Sequence, residues 1–91
     1  MTYFVYIIKT CLKNNKKISY VGYTNNIRKR IKLHNTNKGA KFTRGKFWKL
    51  VYYEKYDSKS KAMRAEYELK KNYKLRKSIL TKNENFNTTT F

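Results

Sequence analysis

Two charged residues stand where an amphipathic chain ordinarily keeps charge out. Arg30 falls on the same helical stripe as Ile27, Ile31 and His34, and Glu66 on the stripe of Ala62, Ala65, Leu69 and Tyr73. A charge on a core-facing stripe is costly unless it is paired, bound to a ligand or set at the stripe's edge. Two readings follow. Arg30 and Glu66 pair with each other or snorkel outward, or they belong to a site. The remaining inventory narrows what such a site could do. The five carboxylates, Glu54, Asp57, Glu66, Glu68 and Glu84, are scattered, which argues against a two-metal centre built on clustered acids. One histidine and one cysteine cannot make a zinc site or an intramolecular disulfide. Three glycines do not supply a phosphate-cradling loop of the P-loop kind. Ser-His-Asp chemistry would need His34 beside Ser19, Ser58 or Ser78, and no spacing suggests it.

Charge points to the partner. Lys and Arg total 23 against 5 Asp and Glu, a formal net charge of +18 in 91 residues. Such a charge repels itself, so an anionic partner is expected, nucleic acid first and an anionic membrane surface second. A bland source competes, because abundant lysine, asparagine, isoleucine and tyrosine are what an A/T-rich genome encodes. The stretch Lys38 to Phe47 mixes Lys38, Lys41, Arg44 and Lys46 with Phe42 and Phe47. The cations suit phosphates, and Phe42 or Phe47 suits stacking on an unpaired base. The alternative is that both phenylalanines pack beneath the loop, Phe47 (beside Trp48) more readily than Phe42. No apolar run approaches the roughly 18 residues of a membrane span, and no signal-peptide pattern is evident. The expectation is a soluble, intracellular protein without a membrane partner.

Positioning these residues requires a small α+β fold. Tyr3 to Lys9 is β-branched and aromatic on both faces, which suits a buried strand. Leu12 to Lys17 reads as a polar turn, and Ile18 to Thr24 as a second strand of a hairpin. Gly22 interrupts that strand, where glycine marks a bulge or a close approach. Asn25 or Asn26 can cap a helix ending near Asn35. Trp48 to Tyr56 reads as a third strand, Asp57 or Ser58 as the cap of a second helix, and Leu75 to Leu80 as a short last helix. The order β-β-α-β-α predicts a three-stranded, mainly antiparallel sheet flanked by helices. One domain over residues 1–82 is expected, followed by a polar, fraying tail at 83–91.

Phe4-Val5-Tyr6 and Tyr20-Val21-Gly22, spaced across a short hairpin, resemble the two tripeptides that name the GIY-YIG nuclease family. Phe4 stands for that family's first glycine and Val21 for its isoleucine. Eight residues past Gly22 lies Arg30, which corresponds to the family's catalytic arginine. His34 follows one turn later, as is frequent there. Glu66 in AEYELKK matches the family's metal-binding glutamate. The stretch KGAKFTRG, Lys38 to Gly45, resembles a subgroup of small stand-alone bacterial members, related to the catalytic module of a nuclease acting on branched DNA. For the family's asparagine after the glutamate helix, Asn72 is the candidate counterpart.

The resemblance spans about Tyr3 to Leu80 and implies a DNA endonuclease. Glu66 would hold one divalent ion, Mg²⁺ or Mn²⁺, and Arg30 would fork onto the scissile phosphate. Tyr6 and Tyr20 would orient or deprotonate the attacking water. His34 would contact phosphate or carry a proton, unless it is simply a helix-end histidine. Lys38, Lys41, Phe42, Arg44 and Lys46 would contact DNA. Branched, flapped or distorted DNA is the implied substrate. Its recognition would come from shape, from a homodimer or from a separate protein partner. The alternative is a non-catalytic nucleic-acid-binding protein on the same fold, for DNA or RNA. The geometric expectation is that Tyr6, Tyr20, Arg30 and Glu66 converge on one cleft.

Overall fold

Tyr3–Cys11 forms strand β1, the middle strand of three, and its centre is buried on both faces because helices cover both sides of the sheet. A computed structural model describes residues 2–11, 17–39 and 41–83. Strand β2 is Lys17–Thr24, helix α1 Ile27–Asn35, strand β3 Lys49–Tyr56, helix α2 Lys59–Lys71 and helix α3 Tyr73–Asn83, with a single 3₁₀ turn at Lys41–Thr43. The sheet order is β2-β1-β3, and both pairings are antiparallel. The fold is therefore α+β, as its sequence predicts. The expected turn at residues 12–17 lies, up to Lys16, outside the described residues. So does the expected tail beyond Asn83, which itself closes α3.

Alternation along β1 divides the interior into two layers. Val5 and Ile7 pack with Val21 of β2 and with Ala62 and Leu69 of α2, joined at the margin by Ile79 and Leu80 of α3. Tyr6 and Ile8 pack in the other direction with Ile31 of α1, Leu50 of β3 and Trp48. Thus α1 covers one face of the sheet, and α2 with α3 covers the other. The last helix is longer than its apolar core suggested, running Tyr73–Asn83 rather than Leu75 to Leu80. Tyr73, read as the end of the α2 stripe, starts that helix instead and is exposed. The third strand begins at Lys49, one residue after Trp48, whose side chain is wholly buried.

Small polar residues set the element ends. Asn26 caps α1, its side chain accepting from Lys29 N at 3.1 Å, and Ser58 caps α2 by accepting from Lys61 N at 3.2 Å. Asn72 caps α3, accepting from Leu75 N at 3.0 Å. Gly22 sits opposite Tyr6 in the strand register. It marks a close approach rather than a bulge, because an added Cβ would stand 2.4 Å from the Tyr6 hydroxyl oxygen. The sheet's register shift lies elsewhere, between Ile7 and Ile8 in the pairing of β1 with β3.

Candidate active site

Helix α1 presents Arg30 and His34 one turn apart, and its C-terminus fixes what covers them. Asn37 adopts a left-handed φ of 64°, which asparagine tolerates better than most residues. Lys38 N then donates to Leu33 O at 2.8 Å and Asn37 N to His34 O at 3.4 Å, the paired bonds of a Schellman ending. The Asn37 side chain also accepts from Gly45 N at 2.7 Å, so one residue stops the helix and holds the far end of the loop. Asn35 binds the Trp48 backbone twice, accepting at 2.6 Å and donating at 3.1 Å, and thereby ties α1 to the entry of β3.

The loop consequently lies directly on the imidazole of His34. A Cβ added at Gly39 would stand 2.4 Å from His34 Nδ1, and Thr43 Oγ1 hydrogen-bonds that nitrogen at 2.8 Å. On the other side of the ring, Nε2 is 2.8 Å from the hydroxyl of Tyr6. All three side chains are buried. Burial, with the Arg30 charge adding to it, lowers His34 to about 4, so the ring is neutral near pH 7. A neutral imidazole carries one N–H, so one hydroxyl donates to it and the other accepts from it. Burial also raises Tyr6 above the usual phenol range, and the nearby Tyr20 hydroxyl raises it further, while Arg30 opposes the shift and Glu66 adds to it. Tyr6 is therefore a neutral phenol at physiological pH.

Helix α2 lies across the sheet from α1, yet its Glu66 reaches the same place. A cleft of about 560 Å³ follows the edge strand β2 and takes residues from both sides of the sheet. Tyr6 and Tyr20 line it from the strands, Arg30 and His34 from α1, and Glu66 from α2. The five residues named as catalytic thus converge. Among the described residues the ion-pair partner of Glu66 is Lys70, at 3.3 Å across one helical turn, and not Arg30. The mutual pairing that the two stripes allowed is not made. Tyr20 is half-buried, with its ring edge-on to His34 at 5.3 Å.

The loop residues separate into three kinds. Lys38 lines the cleft. Lys41 and Arg44 are exposed. Lys46 folds back, its ammonium donating to Phe42 O at 3.2 Å and Arg44 O at 3.3 Å. Phe42 is 53% exposed and stacks on Tyr20, ring centroids 6.0 Å apart and planes 21° apart. Phe47 is 56% exposed, so neither phenylalanine packs beneath the loop. Trp48 and Thr43 fill that space instead, with Trp48 Nε1 donating to Thr43 O at 2.9 Å. Asn72, offered as the polar residue after the glutamate helix, does not line the cleft and serves as a cap.

Sequence reading missed Thr43, Gly39 and Lys59. Thr43 is an ordinary hydroxyl in a polar loop, and nothing in its neighbours marks it for burial. Gly39 carried a signal, since a glycine among lysines next to a helix end often admits a close neighbour. Lys59 lines the cleft from the first turn of α2.

The donor set suits one kind of metal ion. Among the described residues no three His, Cys, Asp or Glu side chains group together. A single carboxylate with neighbouring hydroxyls fits a hard ion that keeps most of its own water, as Mg²⁺ and Mn²⁺ do. No described helix is long and apolar enough to cross a membrane.

Known proteins were compared with this chain. A family described as the GIY-YIG catalytic domain matches residues 2–79. UPF0213 protein SH2523 of Staphylococcus haemolyticus is 49% identical over 69 residues, 75% of this chain and 79% of that protein. UPF0213 protein YazA of Bacillus subtilis is 40% identical over 78 residues, 85% of this chain and 75% of the relative. The solution NMR structure of UPF0213 protein BH0048 from Bacillus halodurans is 40% identical, covers 92% of this chain and 86% of its own, and superposes with a TM-score of 0.48. The relatives' names specify no reaction, but the matched span takes in all three strands, helices α1 and α2, and every residue of the convergent cleft. This chain belongs to the GIY-YIG family of nuclease domains.

Proposed function

We propose that this protein is a metal-dependent DNA endonuclease that hydrolyses phosphodiester bonds in branched, flapped or otherwise distorted DNA. The convergence of Arg30, Glu66, Tyr6 and Tyr20 on one cleft, from two strands and two helices, carries the reading. Hydrolysis needs an attacking water, relief of charge on the phosphoryl oxygens and help for the departing oxygen. Arg30 forks onto the scissile phosphate, where a planar guanidinium matches two oxygens. Glu66 would hold the divalent ion, which when bound supplies Lewis-acid charge to the phosphoryl group. Lys70, paired with Glu66 at 3.3 Å, would share that carboxylate's charge with the ion.

Tyr6 orients the water. It keeps its proton, and its neutral partner His34 is too weak a base to take it. Tyr20, on the adjacent strand and lining the same cleft, is the second hydroxyl placed to orient the water, and it would take a proton from it only after passing its own to solvent. His34 acts through Tyr6 as a positioning residue. Lys38, Lys41 and Arg44 neutralise flanking phosphates, and Phe42 offers a ring face to an unpaired base. Selection among DNA shapes falls to this loop, with a homodimer or a partner protein as a further source.

The test is paired. Glu66→Gln keeps the side chain's size, removes the anionic ligand and lessens repulsion of DNA. Metal-free dissociation constants on a flap substrate should hold or tighten, while single-turnover cleavage with Mn²⁺ disappears. Arg30→Ala should lower the cleavage rate by about 10²–10³, or roughly 3–4 kcal/mol of transition-state stabilisation. A parent protein that cuts no DNA structure with either metal, or a Glu66→Gln protein that cuts as fast as the parent, overturns the assignment and leaves a nucleic-acid binder on this fold.

A further inference from the structure

A second hollow gathers charge of one sign. Where the β1–β2 hairpin meets α3, Lys9 and Lys17 from the sheet and Arg76 and Lys77 from the helix line a pocket of about 310 Å³. Ser19 and Thr81 add hydroxyls to its wall, and no carboxylate is among its described lining residues. Charge of one sign around a hollow suits an anion. One of the four cations is firmly held. The Arg76 guanidinium donates to Leu69 O at 3.0 Å and to Lys70 O, at the C-terminal end of α2. Its charge is therefore fixed to the helix junction rather than swept through solvent.

The place of this pocket matters as much as its charge. It shares the edge strand β2 with the cleft: Ser19 lines the pocket, while Tyr20 and Gly22 line the cleft. At about 3.3–3.4 Å per residue, the path from Gly22 back to Ser19 or Lys17 is roughly 10–17 Å. A DNA strand advances about 3.4 Å per nucleotide along a duplex, so the same path spans roughly three to five nucleotides. A further cation stands along the way, with Lys70 Nζ 5.9 Å from the centre of the Tyr20 ring.

We propose that the pocket formed by Lys9, Lys17, Arg76 and Lys77 is a second phosphate site, which takes a backbone phosphate of the same DNA strand that the cleft holds. The proposal rests on the nuclease reading for the strand in the cleft. The pocket sets the length of strand engaged along β2 and leaves the chemistry to the cleft. Hydroxyls of Ser19 and Thr81 suit phosphate oxygens, and the one aromatic in the wall, Tyr73, has the Arg76 guanidinium 5.7 Å from its ring centre.

The test uses Lys9→Gln/Lys77→Gln, which removes two charges and spares Arg76 at the helix junction. A matched control, Lys32→Gln/Lys55→Gln, removes two exposed charges that line neither hollow. Metal-free binding is measured on single-stranded oligonucleotides of 2 and about 12 nucleotides, across a salt series. On the long oligonucleotide the pocket variant should lose affinity, and its log–log salt slope should fall by about 0.7 for each phosphate contact removed. The short oligonucleotide, which cannot span both hollows, should bind as it does to the parent. The control should show no dependence on length. Equal weakening on both lengths, or none on either, overturns the second site. Loss of tripolyphosphate binding with both oligonucleotides unaffected also overturns it, because the ligand would then be a free polyphosphate. Cleavage of the long strand is scored separately. A parent that shows the length dependence but cuts nothing keeps the pocket and sinks the nuclease reading, and a parent that cuts without the length dependence does the reverse.

Discussion

On one face of β1, Val5 and Ile7 meet Val21, Ala62 and Leu69, and every buried member of that cluster is apolar. On the other face, Tyr6 and Ile8 meet Ile31, Leu50 and Trp48, and a chain of polar groups runs through the packing from Tyr6 to His34 to Thr43. The first face is held by area removed from water, which asks only for roughly the right volume. The second must also satisfy each buried donor and acceptor, and among the described residues no buried side-chain nitrogen or oxygen lacks a partner. Adjacent residues of a single strand thus answer to different demands. Volume can be lost on the first face without stranding a buried polar group, although Glu66 reaches the cleft from the helix packed there, whereas on the second face packing and polar pairing are coupled.

The comparison can be broken most sharply at Ile7, which is wholly buried. Ile7→Ala should cost roughly 2–5 kcal/mol of folding stability in urea titrations. Cleavage per folded molecule should be unchanged under conditions where the variant remains folded. A variant that is folded but inactive would show that packing beneath α2 sets the position of Glu66. Tyr6→Phe should cost less, roughly 1–3 kcal/mol, because it strands one buried nitrogen of His34 rather than opening a cavity. Its cleavage should nonetheless collapse, since the hydroxyl that orients the water is gone. Full activity in Tyr6→Phe would reduce Tyr6 to packing.

The smallest effect is on pH dependence. His34 has a folded value of about 4 against an ordinary 6.5, so between those values the unfolded chain binds more protons. The contribution of the buried neutral ring is complete above pH 6.5 and declines as pH falls toward 4. The melting temperature should therefore fall across that window, and His34→Gln should flatten the fall. Asp57, whose pairing with Lys61 holds it below the usual carboxylate range, acts only at lower pH. An unchanged slope in His34→Gln would mean that the ring is hydrated and charged.

How far the sequence revealed this arrangement depends on the kind of signal each residue carried. Tyr3 to Lys9 read as a strand buried on both faces because apolar side chains occupied both alternating sets, and β1 is central for that reason. Asn26 and Ser58 were readable as caps because capping is local and depends on residue type. Arg30 and Glu66 stood out because each breaks an apolar stripe, and both line the cleft. Thr43 was not legible, since its bond to His34, nine positions away, depends on how the loop after α1 folds back. Phe47, the ring expected more readily beneath the loop, misled because hydrophobic type alone does not say whether a ring lies under a loop or on top of it. Here Trp48, larger and tied by Asn35, takes the interior place. The cationic pocket was equally hidden, since Lys9 and Lys77 are brought together only when α3 docks near the hairpin.

The sheet has only three strands, and β1 alone is paired on both sides, so β2 and β3 leave their outer edges without a strand partner among the described residues. Such edges can recruit further strands, and β3 offers an aromatic one in Leu50-Val51-Tyr52-Tyr53. What keeps two molecules apart is then largely their like charge, +18 each. That protection is long-ranged in dilute salt and short-ranged in concentrated salt, where the Debye length shrinks to about 3 Å at 1 M. The salt that strips such a protein from DNA also removes the repulsion guarding its open edges. Bound nucleic acid, by covering the β2 edge, would act as a colloidal protectant as well as a substrate.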